Sequence, residues 1–239
     1  MNEIQIREQL IKLLAKKHPH NTEFLAELPI ADFSRRIDLV MANGSLSGFE
    51  IKSEQDTLAR LDGQLGTYTQ YFENVTVVCA TKHLKKVMCI APDTVGVWEF
   101  DGKKLVVHRK ARKNHNLSKD IWLSFLNTIG LKALLRKHKL KVSGLKSALV
   151  SRALSLPYAD VRLFVLSYMK QQFPIISEDR IAYRERKLAK LKEENTVKND
   201  ILVATDKALP RMPQELLDLP IRERLLAIRR LHKTRQSLR

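Results

Sequence analysis

Two short runs, Arg36-Ile37-Asp38-Leu39-Val40 and Gly48-Phe49-Glu50-Ile51-Lys52, constrain this chain more than anything else in it. Each alternates apolar and polar residues, the mark of a β-strand with a buried face. Asn43-Gly44 between them is a tight-turn signal, so the two strands form a hairpin. Side chains alternate across a strand, which sends Phe49 and Ile51 to one face and Glu50 and Lys52 to the other. A carboxylate and an ammonium therefore share a strand face, with a second carboxylate, Asp38, on the strand before.

The surrounding pattern is that of an α/β domain. Ile6, Leu10, Leu13 and Leu14 fall at helical spacing over 3–17, and the helix should stop before His18-Pro19. Strands are expected at about 36–42 and 46–52, then a helix capped by Asp56 or Asp62 and running to about Phe72. The continuous apolar run Val75–Ala80 reads as a strand buried on both faces. Shorter strands are expected at about 87–91, 95–100 and 104–108, the last two joined by Asp101-Gly102. Such an order gives a mixed central sheet. After the basic segment 109–116, read as a linker, every segment is helical in pattern: 119–128, 131–139, 145–154, 158–172, 178–194 and 213–236, with Pro210 and Pro213 ahead of the last. The expected domains are 1–112 and 117–239.

Charge separates the two halves. Of the net +17, residues 118–239 carry +14 and residues 1–117 only +3. A polyanion is the natural partner, because Lys and Arg release the counterions condensed on phosphates. An inert basic surface, a ribosome contact or an anionic membrane surface are the alternatives. No apolar run approaches a membrane span, and the start of the chain lacks the pattern of a signal peptide. Cys79 and Cys89 lie in apolar runs and read as buried thiols in a reducing, cytoplasmic setting. The seven histidines show no zinc-site spacing, and Trp98, Trp122 and Tyr158 read as core aromatics.

Mg²⁺ prefers oxygen ligands and takes one or two carboxylates, completing its shell with water and phosphate. Asp38 and Glu50, with the backbone carbonyl of Ile51, could supply them, and Lys52 could hold a water or offset phosphate charge. The structural alternative is a cross-strand ion pair on a solvated face. Gln64 and Tyr68 lie four residues apart, hence on one helix face, just after the second strand. Glu27 is a candidate further acid, with Glu8 and Glu23 as competitors, and Arg36 and Arg60 could reach phosphates or serve local ion pairs.

Asp38, then Glu50-Ile51-Lys52, then Gln64-Leu65-Gly66-Thr67-Tyr68 resembles the PD-(D/E)XK nuclease superfamily. The Gln-x-x-x-Tyr element is similar to the branch that holds the RecB nuclease domain and phage lambda exonuclease. The resemblance covers about residues 1–108 and implies a restriction-endonuclease-like αβββαβ core. It further implies hydrolysis of DNA phosphodiesters with Mg²⁺ or Mn²⁺. By it Asp38, Glu50 and Glu27 are metal ligands with the Ile51 carbonyl, Lys52 is the catalytic lysine, and Gln64 and Tyr68 complete the site. Ile37 stands where the family name has proline.

In the basic half, residues 131–154 form two leucine-rich helices about the turn Lys141-Val142-Ser143-Gly144. They look like a SAP-type DNA-binding module, although Lys139 stands where glycine is usual. Lys132, Arg136, Lys139, Lys141, Lys146 and Arg152 would meet phosphates without base specificity; a hairpin serving only for packing is the alternative. The expected function is thus a metal-dependent DNA nuclease of repair, recombination or defence. The alternative is a catalytically inactive nuclease-fold protein that binds DNA or acts as an adaptor; an RNA-directed protein is less well supported. Homo-oligomerisation and partner proteins are left open by the sequence.

Overall fold

The strand pattern around Asn43-Gly44 builds the centre of the fold. In the computed structural model, which describes residues 1–208 and Glu223, β2 (Arg35–Ala42) and β3 (Leu46–Lys52) pair antiparallel from Leu39↔Phe49 to Ala42↔Leu46. Gly44, at φ +122°, makes the turn. Gly48 permits a close approach: a β-carbon there would lie 2.4 Å from Ile37 Cδ1 and 3.0 Å from the Phe72 ring.

Ahead of them lie α1 (Glu3–Lys17) and β1 (Glu23–Ile30). α1 opens with a capping box between Asn2 and Gln5 and buries Ile6, Leu10 and Leu14. β1, which the sequence pattern does not announce, pairs antiparallel with β2 on the sheet edge. Pro29 is tolerated there because an edge strand need not donate every N–H. After β3 come α2 (Leu61–Tyr71) and β4 (Asn74–Ala80), the latter parallel to β3. A 3₁₀ turn and α3 (Leu84–Ile90) follow, then β5 (Gly96–Phe100), parallel to β4, and β6 (Leu105–Arg109), antiparallel to β5. The six strands stand in sequence order in one mixed sheet.

The strand expected at 87–91 is corrected by α3. Two neighbouring parallel strands need a crossover between them, and this apolar run provides it as a helix. Cys89 is accordingly exposed on α3, whereas Cys79 in β4 is buried as expected. Burial pushes the Cys79 thiol up to about 12.

Beyond the sheet are α4 (Lys119–Ser124), α5 (Thr128–Lys137), α6 (Lys146–Leu154) and α7 (Tyr158–Ala208). The two helices expected at 158–172 and 178–194 are one, which continues through Pro174 despite the backbone donor lost there. The expected helix 213–236 lies outside the described residues. Among the described residues no helix is long and apolar enough to cross a membrane.

The chain divides into two units, Met1–Asp179 and Arg180–Arg239. In the first, α1 covers one sheet face through Leu10, Leu39, Phe49 and Ile51. The opposite face packs α2 and the later helices around Leu65, Phe72, Trp122, Leu134 and Phe173. The basic segment expected as a linker is bonded to the sheet half: Asn114 donates to the carbonyls of Glu73 (2.7 Å) and Thr69 (2.9 Å).

Candidate functional site

At one end of the hairpin the ladder between β2 and β3 stops at Leu39↔Phe49. Continued by one residue it would set Asp38 opposite Glu50, two carboxylates face to face. Instead, the Asp38 carboxylate takes over the backbone's role, its Oδ2 accepting a hydrogen bond from the Ile51 N–H at 2.6 Å. The strand ends part around a cleft of about 470 Å³ lined by Asp38, Glu50, Lys52, Gln64 and Tyr68, with Phe33, Arg35, Arg36 and Arg60 also on its walls.

The alternation in β3 turns Glu50 and Lys52 toward α2, while Phe49 and Ile51 enter the α1-side core. Glu50 is 1% exposed and Lys52 7%. Lys52 Nζ donates to Glu50 Oε1 (2.7 Å) and to Gln64 Oε1 (3.0 Å), and Gln64 Nε2 donates to Glu50 Oε1 (2.6 Å). Gln64 Nε2 also lies 3.4 Å from the Tyr68 hydroxyl, which donates to the Arg36 carbonyl at 2.8 Å and so ties α2 to β2. Five of the six residues singled out as catalytic therefore meet in one place: Asp38, Glu50, Lys52, Gln64 and Tyr68.

Burial dominates the electrostatics. Desolvation and the neighbouring Glu50 charge raise Asp38 from its ordinary 3.8 to about 8. Desolvation also raises Glu50, against the opposing pull of Lys52. The buried Tyr68 hydroxyl is raised by burial and by the same two acids. Glu50 Oε2 is buried and has no hydrogen-bond partner among the described residues.

Glu27 has a different setting. At φ +55° it directs Oε1 to Arg7 Nη1 (3.3 Å) and Oε2 to Arg36 Nη1 (3.2 Å). Among the described residues no three His, Cys, Asp or Glu side chains gather as a metal-holding group. Glu27 thus stands between two arginines, whereas Asp38 and Glu50 lie together on the cleft. Arg7, only 5% exposed and also bonded to Glu3 at 2.7 Å, is the residue that sequence reasoning missed. Its one sequence signal is the i,i+4 spacing from Glu3. Asp56, expected as a helix cap, instead accepts from the Ser53 N–H at 2.7 Å, and α2 opens at Arg60 with no side-chain cap.

The expected phosphate contacts differ in what they are free to do. Arg60 is exposed and Arg36 is 66% exposed although paired with Glu27. On α5, α6 and the turn between them, Arg136, Lys139, Lys141 and Lys146 are exposed and Lys132 is half-buried. Lys139 adopts φ +56°, the left-handed conformation that glycine favours. Arg152 is half-buried, and its Nη1 donates to the carbonyls of Lys141 (3.0 Å) and Ser143 (2.8 Å), so it holds the turn.

Comparison with known proteins changes the functional reading. The family model described as bacteriophage P4 protein cII matches residues 1–203. Protein cII of Enterobacteria phage P4 is 36% identical over 186 residues, 75% of this chain and 70% of that protein. Among solved structures, the SPO1766 protein of unknown function from Silicibacter pomeroyi is similar at 15% identity and a TM-score of 0.34, over 43% of this chain and 68% of that one. The family match and the cII relative overturn membership of the PD-(D/E)XK superfamily, and with it the reading as a nuclease, a hydrolase and an Mg²⁺-dependent deoxyribonuclease. A motif spanning a few dozen residues yields here to a match along most of the chain: this protein belongs to the bacteriophage P4 protein cII family.

Proposed function

We propose that this protein binds DNA without hydrolysing it, on a core laid out like that of a restriction endonuclease. The order α1-β1-β2-β3-α2-β4 supports that layout, since it repeats the αβββαβ order expected from the sequence. The observation that carries the DNA-binding reading is the helix–turn–helix α5–α6, whose exposed Arg136, Lys139, Lys141 and Lys146 lie within a half of net charge +14. Cations clustered on one small element neutralise phosphates and read no bases. The absence of hydrolysis is supported by Lys52, whose ammonium is buried and engaged with Glu50 and Gln64 as a structural pair.

The same reading gives the carboxyl pair a cation. Mg²⁺ or Mn²⁺ fits Asp38 and Glu50 beside Ile51 because Glu50 Oε2 is buried without a hydrogen-bond partner among the described residues and Asp38 is driven up to about 8. The ion would offset the charge of a buried carboxylate, Glu50, and a half-buried one, Asp38. Titration calorimetry with Mg²⁺ should give binding heat that Asp38→Asn abolishes; no heat from the unaltered protein removes the ion from this reading.

Fluorescence anisotropy with duplex DNA across a salt series tests the main proposal. Affinity should fall steeply as salt rises, and plasmid incubated with the protein and Mg²⁺ should stay intact. Absent or salt-insensitive binding, or metal-dependent cleavage, overturns it.

A further inference from the structure

The tip of the β1–β2 hairpin carries a residue that the site just described leaves unexplained. Phe33 is 86% exposed, more than any other large apolar side chain among the described residues. It is not on a loose loop. Ile30 pairs with Arg35 at the end of the ladder, and the Ser34 N–H donates to the Ala31 carbonyl at 3.0 Å, so only four residues make the tip. Three of them in succession, Ala31, Asp32 and Phe33, have φ of +50°, +50° and +66°. Neither Ala31 nor Phe33 is glycine, asparagine or aspartate, the residues that adopt this conformation at least cost. A turn selected for stability alone would use them and would not present a phenyl ring to water. Strain of this kind is retained where a side chain must be held in place.

The surroundings indicate what the ring meets. Phe33 stands on the wall of the cleft together with Arg35 and Arg60. Both arginines are exposed and neither has an ion pair among the described residues. Arg35 Nη2 lies 3.5 Å from where a β-carbon on Gly63 would sit, which brings its guanidinium to the first turn of α2, the helix that Arg60 precedes. Of the acids that line the cleft, Glu50 is met by Lys52 and Glu3 by Arg7, each at 2.7 Å. An exposed aromatic on a strained tip, sharing a cleft wall with two guanidiniums that have no ion pair among the described residues, suits a nucleobase with its flanking phosphates. A duplex hides all but its terminal base faces in its stack, so along a strand only an unpaired nucleotide offers one.

We infer that Phe33 is a base-stacking tip through which this protein recognises an unpaired nucleotide of DNA, with Arg35 and Arg60 meeting the neighbouring phosphates. The inference rests on the DNA-binding reading above and gives it a preference, single-stranded segments over closed duplex, that the basic α5–α6 element does not supply.

Anisotropy with the full chain at low salt, on a blunt duplex, the same duplex with a single-stranded overhang, and that overhang built of abasic nucleotides, tests it. The intact overhang should bind roughly tenfold more tightly than the blunt duplex, as one stacked base provides, and the abasic overhang should lose the gain. Phe33→Ala should lower overhang affinity to the blunt level without changing blunt-duplex affinity, and Phe33→Trp should restore it. 2-Aminopurine in the overhang should be quenched by the unaltered protein and not by Phe33→Ala. If blunt duplex binds but abasic and intact overhangs bind alike, or Phe33→Ala keeps the preference, the inference is overturned and the tip belongs to a protein contact. Failure to bind any of the three DNAs overturns the DNA-binding reading itself, and this inference with it.

Discussion

Arg162 of α7 closes a two-pronged ion pair on Glu73, its Nε 3.0 Å from Oε1 and its Nη2 3.0 Å from Oε2. Glu73 lies between α2 and β4 and is 3% exposed. Its Oε2 also accepts from the Leu46 N–H at 2.9 Å, and Lys113 approaches Oε1 at 3.2 Å. The guanidinium sits 5.8 Å over the Trp122 ring and donates to the Gly44 carbonyl at 2.7 Å. One residue thus fastens a late helix to the turn that organises the sheet.

Removing that guanidinium should be expensive. A buried carboxylate that loses its main partner costs about 3–5 kcal/mol, and Lys113 holds the loss to the lower end. Arg162→Ala is therefore expected to lose about 3 kcal/mol in urea unfolding. Arg162→Lys keeps the charge but not the fork, and should recover only part of this. An Arg162→Ala protein as stable as the unaltered one would show that the pair is not what fastens α7.

The pair is not legible in the sequence, because its members are 89 residues apart and neither belongs to a pattern. What is legible is local. Alternation fixes β2, β3 and the faces of Glu50 and Lys52, and the four-residue spacing brings Gln64 and Tyr68 onto the same cluster. β1 is hidden because Glu27 takes positive φ and Pro29 interrupts the strand pattern. α3 reads as a strand because a short apolar run has no period of its own, and only its place between parallel strands makes it a helix. The site residues are legible for the same local reason that their function is misread. Asp38, Glu50 and Lys52 at a nuclease-like spacing say nothing of the rest of the chain, and the family match is carried by residues 1–203 together.

Stability should decline with pH because of Asp38. Burial and the Glu50 charge hold its folded value at about 8 against an ordinary 3.8. Between those values the folded protein keeps a proton that the unfolded chain releases. Stability from this group is complete below about pH 4 and is lost as pH rises toward about 8, with a slope no steeper than ~1.4 kcal/mol per pH unit. Thermal melts in EDTA should show the decline, and Asp38→Asn should flatten it. An unchanged slope in that variant would place the proton elsewhere.

Lys52→Ala should destabilise by about 3–5 kcal/mol, since Glu50 would stay buried with only the uncharged Gln64 and Tyr68 beside it. Its effect on DNA affinity should be small, because the ammonium faces Glu50 and Gln64 rather than solvent. Denaturant unfolding and anisotropy on the same variant separate the two effects, and a large loss of affinity with unchanged stability would contradict this structural role.

The α5–α6 turn divides its basic residues by task. Replacing Lys139, Lys141 and Lys146 together by Ala should reduce the slope of log affinity against log salt by about 2.7, at ~0.9 for each phosphate no longer neutralised. Arg152→Ala should instead loosen the turn, because two carbonyls lose their donor. It should cost about 1–3 kcal/mol of stability while leaving the salt slope nearly intact. If Arg152→Ala changes the slope as the lysines do, that guanidinium meets phosphate and not the turn.

The strained hairpin tip gives the last expectation. Non-glycine residues in the left-handed region cost ~1 kcal/mol or more each, and Phe33 holds φ +66° with its side chain in water. Phe33→Gly should therefore stabilise the fold by about 1 kcal/mol, offset in part by the greater freedom glycine gains when unfolded. A rise in melting temperature in that variant, together with loss of the overhang preference, would mean that the phenyl ring is kept against the interest of stability. A fall instead would mean that the ring packs on the hairpin and contributes to the fold, which its exposure argues against.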